Sequence, residues 1–491
     1  MSDSSTSSNN SRPETIEKIG LITKDVTRID GAGETSDALH PSQRLPPMKK
    51  SLIIKNLLVM SFAFMFLFTA FQSLQNLQSS LNKEEGLGTV SLSVIYVFGM
   101  LAGLVLPPLA ISRLGCKWTV AASMICYIVF MCANLYATWW TMIPASVIIG
   151  TGAATLWAAK CTYLTQMADW YSQLTNAPKD GTLSTFFGVF FLMFQTSQIW
   201  GNLISSGIFS LQLPENSTVN EDVLKTCGAN YCPSDYENNT NLDRPNMTKI
   251  YIVCGTYVGC ACLALIIVCL LLDNITHETD TKDKTTKQLV LAIVQHFYQS
   301  KYQKLLVPLT IYSGVQQAFV AGEFTRSFIS CALGVWNVGY VMIAYGVADA
   351  TCSLIIGRLV KHTGFIPWFV TVFLLHGGTM IAFLIWRPHP DHVVLFYVFA
   401  VFWGIGDAII QTLINALYGY LFMEKPESAF ASYRLCESAG FILAFGYSGY
   451  VCTNIKIHVT LVLLTIGVAL YGVVAVLDRR DKKIKIRGAK L

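Results

Sequence analysis

The sequence predicts an all-α polytopic membrane protein with twelve transmembrane helices in two six-helix halves. Three observations predict it. The first is composition: 53% of the 491 residues are hydrophobic and 13% are charged. A soluble protein carries roughly 25% charged residues, and a fold of this length needs that charge to cover its surface. The second is a series of twelve apolar runs, each near the about 20 residues a helix needs to cross the hydrocarbon core. The third is the placement of Lys and Arg between those runs. The same composition excludes a disordered chain, a collagen-like repeat and a small disulfide scaffold.

Residues 1–50 are rich in Ser, Thr, Asn and Pro and hold no aromatic residue. They are expected to form a disordered cytosolic tail. The N-terminus shows no charged start followed by an apolar core, so the first span is expected to act as the insertion signal. The apolar runs lie near 55–79, 90–112, 118–138, 141–165, 184–211, 249–272, 303–325, 336–358, 365–387, 392–420, 431–452 and 458–478. In such uniformly apolar runs length, not periodicity, argues for helix. The alternating segments of about ten residues that mark a membrane barrel do not occur. An N-terminal half over 51–272 and a C-terminal half over 303–478 are divided by a polar central cytosolic loop at 273–302, and a basic cytosolic tail follows at 479–491.

The net charge of +5 suggests a polyanion partner until the charges are placed. With the N-terminus in the cytosol, 25 Lys and Arg lie in or border cytosolic segments, and six lie outside: Lys83, Lys225, Arg244, Arg326, Arg387 and Lys456. That bias obeys the positive-inside rule, and an odd number of spans breaks it. The excess charge thus records orientation, and no nucleic-acid partner is expected. The longest outer loop, 212–248, carries three N-x-[ST] sequons, at Asn216, Asn238 and Asn246. Glycosylation needs a lumenal acceptor, so the sequons agree with the charge rule. Cys227 and Cys232 sit in the same loop as C-G-A-N-Y-C, and an oxidising compartment favours a disulfide between them over two free thiols. Cys331, also outside, has no obvious partner. No Cys/His set has metal-ligand spacing, and no cofactor is expected.

Weak internal repetition supports the two halves. A basic turn follows span two as S-R-L-G-C-K (Ser112–Lys117), and another follows span eight as G-R-L-V-K-H-T-G (Gly357–Gly364). Glycine pairs stand in spans four and ten, Gly150 with Gly152 and Gly404 with Gly406, where they allow close helix approach. These features resemble the major facilitator superfamily, whose loop after span two reads D-R-x-G-R-[RK]. Arg113, Gly115 and Lys117 match, but Ser112 stands where the family has its acid. That acid latches conformations in the family, and its loss speaks against ordinary transporter cycling. Arg113, Arg358 and Asp349 are the latch candidates.

Ionisable groups within spans are costly and so mark candidate sites. Five stand out: Lys160, Asp349, Asp407, and Arg434 with Glu437, whose spacing of three lets them pair on one helix face. The resemblance implies that spans one, four, seven and ten line a cavity, with Lys160 and Asp407 facing it from opposite halves. Polar stripes at Gln72, Gln75, Asn76 and Gln78 in span one, at Gln195, Gln198 and Asn202 in span five, at Gln316, Gln317 and Glu323 in span seven, and at Gln411 and Asn415 below Asp407 in span ten are expected to bond helices together.

Longer segments narrow the resemblance. L-F-T-A-F-Q-S-L-Q-N-L-Q-S-S-L-N-K-E-E-G-L-G (Leu67–Gly88), F-Q-T-S-Q-I-W-G-N-L-I-S-S (Phe194–Ser206), I-Y-S-G-V-Q-Q-A-F-V-A-G-E-F-T-R-S-F (Ile311–Phe328) and F-A-S-Y-R-L-C-E-S-A-G-F-I-L-A-F-G-Y-S (Phe430–Ser448) resemble the uncoordinated-93 family. The resemblance runs from about Ser51 to Leu477. It implies a divergent branch of the major facilitator fold, a founding branch that regulates a two-pore-domain potassium channel, and another that escorts receptors to endosomes. Two functions follow as expectations. One is a non-enzymatic accessory or regulatory protein of a potassium channel complex, with a channel subunit or other membrane protein as partner. The other is a secondary transporter of a small solute or cation. No catalytic, Walker or channel-filter motif occurs, so no enzyme is expected. The plasma membrane is the expected location, with an endosomal one suggested by E-K-I-G-L-I (Glu17–Ile22), a match that arises easily by chance in a polar tail.

Overall fold

The computed structural model describes residues 48–211, 221–233, 239–275, 286–422 and 426–488. The expected tail, the acidic Leu-Ile segment, Asn216, Asn238 and much of the central loop lie outside them. The described residues are almost wholly helical, with no strand among them. The helices are α1 (Lys50–Leu81), α2 (Leu87–Gly103), α3 (Leu106–Ala133), α4 (Trp139–Thr175), α5 (Lys179–Phe209), α6 (Met247–Leu271), α7 (Thr286–Gln299), α8 (Lys301–Phe319), α9 (Val338–Thr363), α10 (Ile366–Ile385), α11 (Val393–Leu421), α12 (Pro426–Tyr447) and α13 (Thr453–Gly488). Beyond Phe319, α8 continues as a π-helical stretch over Val320–Ser330. Such stretches are rare and usually a single turn.

Helix occupies every expected span. Among the described residues nine helices are long and apolar enough to cross a membrane. Three expected spans fall outside that set for physical reasons. The second is cut by the Pro107–Pro108 pair, which has no N–H to continue a ladder, leaving α2 with 17 residues. The helices α5 and α12 carry inward polar groups, among them Ser197 and Asn202 on the first and Ser432 and Glu437 on the second, all buried.

Both basic turns carry a glycine in the left-handed region, Gly115 at φ 73°, where it kinks α3, and Gly364 at φ 74°. Only a residue without Cβ adopts that conformation at no cost. The packing repeats as the turns do. The pairs α1·α5, α2·α4, α3·α4, α1·α6 and α3·α6 recur as α8·α12, α9·α11, α10·α11, α8·α13 and α10·α13. Contact between the two sets runs through α5·α9 and its counterpart α12·α2.

Glycine sets the closest crossings. A Cβ on Gly150 would come within 2.5 Å of the Ile95 carbonyl oxygen, and one on Gly404 within 2.5 Å of that of Tyr345. A Cβ on Gly152 would meet Cys126, and one on Gly406 the His376 ring. The glycines singled out in spans four and ten therefore sit where helices touch. Gly314 and Gly440 play the same part between α8 and α12.

Candidate functional site

A buried polar network lies where α5, α8, α9 and α11 meet. Asp407 is buried on α11. Its Oδ1 accepts from Gln316 Nε2 at 2.5 Å, and its Oδ2 accepts from the Tyr345 hydroxyl. Gln316 cannot turn its amide around, because its Oε1 accepts from Trp403 Nε1 at 2.9 Å. Trp403 stacks on His376 at 4.6 Å between ring centroids, and His376 is bonded to Tyr312 at 2.7 Å and to the Trp403 carbonyl at 3.1 Å. One turn beyond Tyr345 on α9, Asp349 accepts from Gln195 Nε2 of α5 at 2.5 Å. Two buried carboxylates thus hold neutral donors from three neighbouring helices. Such a network is worth having only when its members are satisfied.

A second cluster sits at the Gly314–Gly440 crossing. Glu437 Oε1 accepts from Ser313 and Tyr433, each at 2.9 Å. Its Oε2 meets Arg434 Nη1 at 2.6 Å. The predicted pair therefore forms, with the carboxylate side chain 7% exposed and the guanidinium side chain 59% exposed. The arginine reaches away from the core while its partner stays in it.

Lys160 is 1% exposed and takes no part in any ion pair among the described residues. Its ammonium lies over four rings, Phe190 at 4.4 Å, Trp157 at 4.7 Å, Phe191 at 5.0 Å and Phe187 at 5.3 Å. Desolvated cation–π contacts are worth about 2 kcal/mol or more, which offsets part of the burial cost. Lys160 and Asp407 are each engaged with their own partners and do not bond to one another. Several stripe amides bond helices together as expected: Asn76 donates to Gln198 at 3.2 Å and to Asn202 at 3.3 Å, and Gln78 donates to Asn134 at 2.6 Å; Asn415 instead donates to the Gln411 carbonyl of its own helix at 2.7 Å.

Of the latch candidates, Arg113 is exposed just before the Gly115 turn. Asp349 is committed to Gln195 and Ser353, and the side chain of Arg358 lies outside the description. Asn246 is exposed and caps α6, its Oδ1 accepting from the Thr248 amide at 3.0 Å.

The expected disulfide between Cys227 and Cys232 does not form. Cys227 pairs with Cys331 at the end of α8, and Cys232 pairs with Cys452 between α12 and α13. The loop between α5 and α6 lies against those two helix ends, so each cysteine meets a partner from the later set of helices. Asn239 and Asn241 fasten the same contact by donating to the Cys331 carbonyl at 3.0 and 3.1 Å. Cys452 reads as a membrane cysteine in the sequence, and only the spatial convergence of helix ends reveals its partner. The His376–Tyr312–Trp403 group is likewise invisible in spacing, since its members stand on three helices.

The comparisons agree with this architecture. The family profile described as "Ion channel regulatory protein UNC-93" matches residues 79–387, and that of the Major Facilitator Superfamily matches residues 308–491. Protein unc-93 homolog A of Xenopus laevis is 45% identical over 88% of this chain and 95% of its own. The Putative potassium channel regulatory protein unc-93 of Caenorhabditis elegans is 34% identical over 85% of this chain and 60% of its own. Among solved structures, the nucleoside transporter NupG superposes with a TM-score of 0.57 at 14% identity, over 86% of this chain and 99% of that one. The partially occluded inward-open xylose transporter XylE from E. coli also superposes with a TM-score of 0.57, at 10% identity over 86% and 97%. On this ground the chain belongs to the UNC-93 family of ion channel regulatory proteins, as a multi-pass membrane protein on a divergent major facilitator fold.

Proposed function

We propose that the chain is a non-enzymatic accessory protein of a potassium channel complex at the plasma membrane. It crosses the bilayer twelve times as six plus six helices, with both termini in the cytosol. The observation that carries this reading is the bracing between the two sets of helices. Two disulfides tie the α5–α6 loop to the later set. Contacts such as buried Ser80 with Ser330 at 2.9 Å and half-buried Tyr96 stacked on Phe441 at 4.0 Å run alongside. A face braced in this way suits a fixed partner surface better than a swinging gate, and the missing latch acid at position 112 points the same way. The repeated helix pairing supports the six-plus-six division. The disulfides and the exposed Asn246 sequon support an oxidising, outer location for the loop. The name of the C. elegans relative supplies the channel class.

The test is co-purification of the tagged full chain from native membranes, with potassium current recorded when it is co-expressed with a two-pore-domain channel. The expected result is a channel subunit in the eluate and a changed current. Unchanged current and an eluate free of channel subunits would overturn the reading. A second reading, secondary transport of a small solute or cation, is favoured by Asp349 and Asp407 lying beside the α5·α9 contact, because intramembrane carboxylates mark ion pathways in transporters. It predicts uptake in vesicles that Asp407→Asn abolishes, and no uptake across a broad solute panel would end it.

A further inference from the structure

A third charged cluster lies beneath the disulfide-bound loop, and neither the family resemblance nor the regulatory reading uses it. Glu323 and Arg326 stand on the π-helical stretch of α8, and Lys456 begins α13; all three are buried. The carboxylate is fully occupied. Its Oε2 lies 2.8 Å from Lys456 Nζ, and its Oε1 accepts from the Ser448 hydroxyl. Lys456 also donates to the Ser448 carbonyl at 2.7 Å.

Arg326 is treated differently. Its Nε and Nη2 are buried and have no hydrogen-bond partner. The Tyr231 ring covers a face of the guanidinium, 5.0 Å away, which leaves the donating edge free. Nε–H and the neighbouring Nη2–H form one side of the rigid guanidinium fork, two parallel donors that suit a single anion. The charges do not balance either. Among the described residues the cluster holds two cations, Arg326 and Lys456, and one anion, Glu323. Leaving a buried charge uncompensated is among the costliest arrangements in a protein. A water molecule accepts a hydrogen bond but removes none of that charge. Every residue from Ala318 to Val335 is buried, so an occupant of this edge must be small.

We propose that the Nε–Nη2 edge of Arg326 binds a small monovalent inorganic anion, chloride by size and abundance. It would neutralise the cluster and hold Tyr231, and with it the disulfide-bound loop, against α8. The proposal does not depend on whether the chain regulates a channel or moves a solute.

The experiment is thermal unfolding of the purified full chain in detergent, at constant ionic strength, with sodium gluconate replaced stepwise by sodium chloride or bromide. The expected result is a saturable rise in Tm of a few degrees with either halide, absent in Arg326→Gln. A wild-type Tm that ignores the halide overturns the proposal. So does a halide response that Arg326→Gln retains. Should Arg326→Gln fail to fold, anomalous scattering from bromide-soaked wild-type crystals decides. A bromide peak within hydrogen-bond distance of Arg326 supports the site, and an empty Arg326 edge overturns it.

Discussion

Removing the Asp407 carboxylate should separate two substitutions that both abolish its charge. Asp407 accepts from two buried donors, Gln316 Nε2 and the Tyr345 hydroxyl. In Asp407→Asn the amide oxygen keeps the Gln316 bond. The new amide nitrogen then faces Tyr345, whose oxygen accepts from it while its own hydrogen loses a partner. The expected loss is about one net hydrogen bond, ~1 kcal/mol. In Asp407→Ala both donors are orphaned. Gln316 cannot rescue itself, because turning its amide would break the Trp403 bond at 2.9 Å. Each orphaned buried donor costs about 1–3 kcal/mol, so the total is about 2–6 kcal/mol. The assay is thermal unfolding of the full chain in detergent with a thiol-reactive dye, which reports exposure of the buried free cysteines Cys116, Cys254 and Cys436. The expected order of Tm is wild type, then Asp407→Asn, then Asp407→Ala. An alanine variant as stable as the asparagine one would refute the argument that Gln316 is held in one orientation.

Glu323→Gln should destabilise the chain by about 3–5 kcal/mol, since it strands the buried Lys456 ammonium, and adding Lys456→Met should restore most of the loss; the double-mutant cycle in the same unfolding assay checks it. Gly440→Ala should cost about 1–3 kcal/mol by overpacking, because its Cβ would collide with the Ile311 carbonyl oxygen and approach Gly314 Cα to 3.1 Å, whereas Gly419→Ala meets nothing within 4 Å and serves as the control. Asp273, between α6 and α7, is pushed up by partial burial, but hydrogen bonds from Lys55 and Asn56 and the Lys55 charge outweigh this and hold its carboxyl below the usual range. A depressed folded-state value stabilises above the unfolded one, about 3.9, and is lost as pH falls through the folded one. The pair is about a third exposed, so screening limits the effect to a fraction of a kcal/mol, and the wild type should converge on Asp273→Asn in Tm as the pH is lowered from 5 towards 3.

The helices and much of the site are legible in the sequence because the cost of burying polarity is a local quantity. An apolar run of helix-spanning length needs no knowledge of its neighbours, and a charge within one stands out at once. The Arg434–Glu437 pair and the close-packed glycines at positions 150, 152, 404 and 406 are of this kind. Partners distant in sequence are not. C-G-A-N-Y-C suggests a local bridge, yet what decides the pairing is which helix ends converge on the loop. Arg326 and Lys456 read as outer-loop charges that merely record orientation, and only the packing of α8 against α13 shows them buried around Glu323. The break at Pro107–Pro108 is visible in the sequence, but it is masked by the apolar run around it.

The two disulfides also set a timetable for biogenesis. Cys232 waits for a partner 220 residues downstream, and Cys227 for one 104 residues downstream. The loop can therefore take its first bridge once Cys331 is made, and its second only once Cys452, just ahead of α13, is made. A chain truncated before Cys452 would carry an unpaired Cys232 thiol. Only a chain made at least as far as Cys452 can close both bridges.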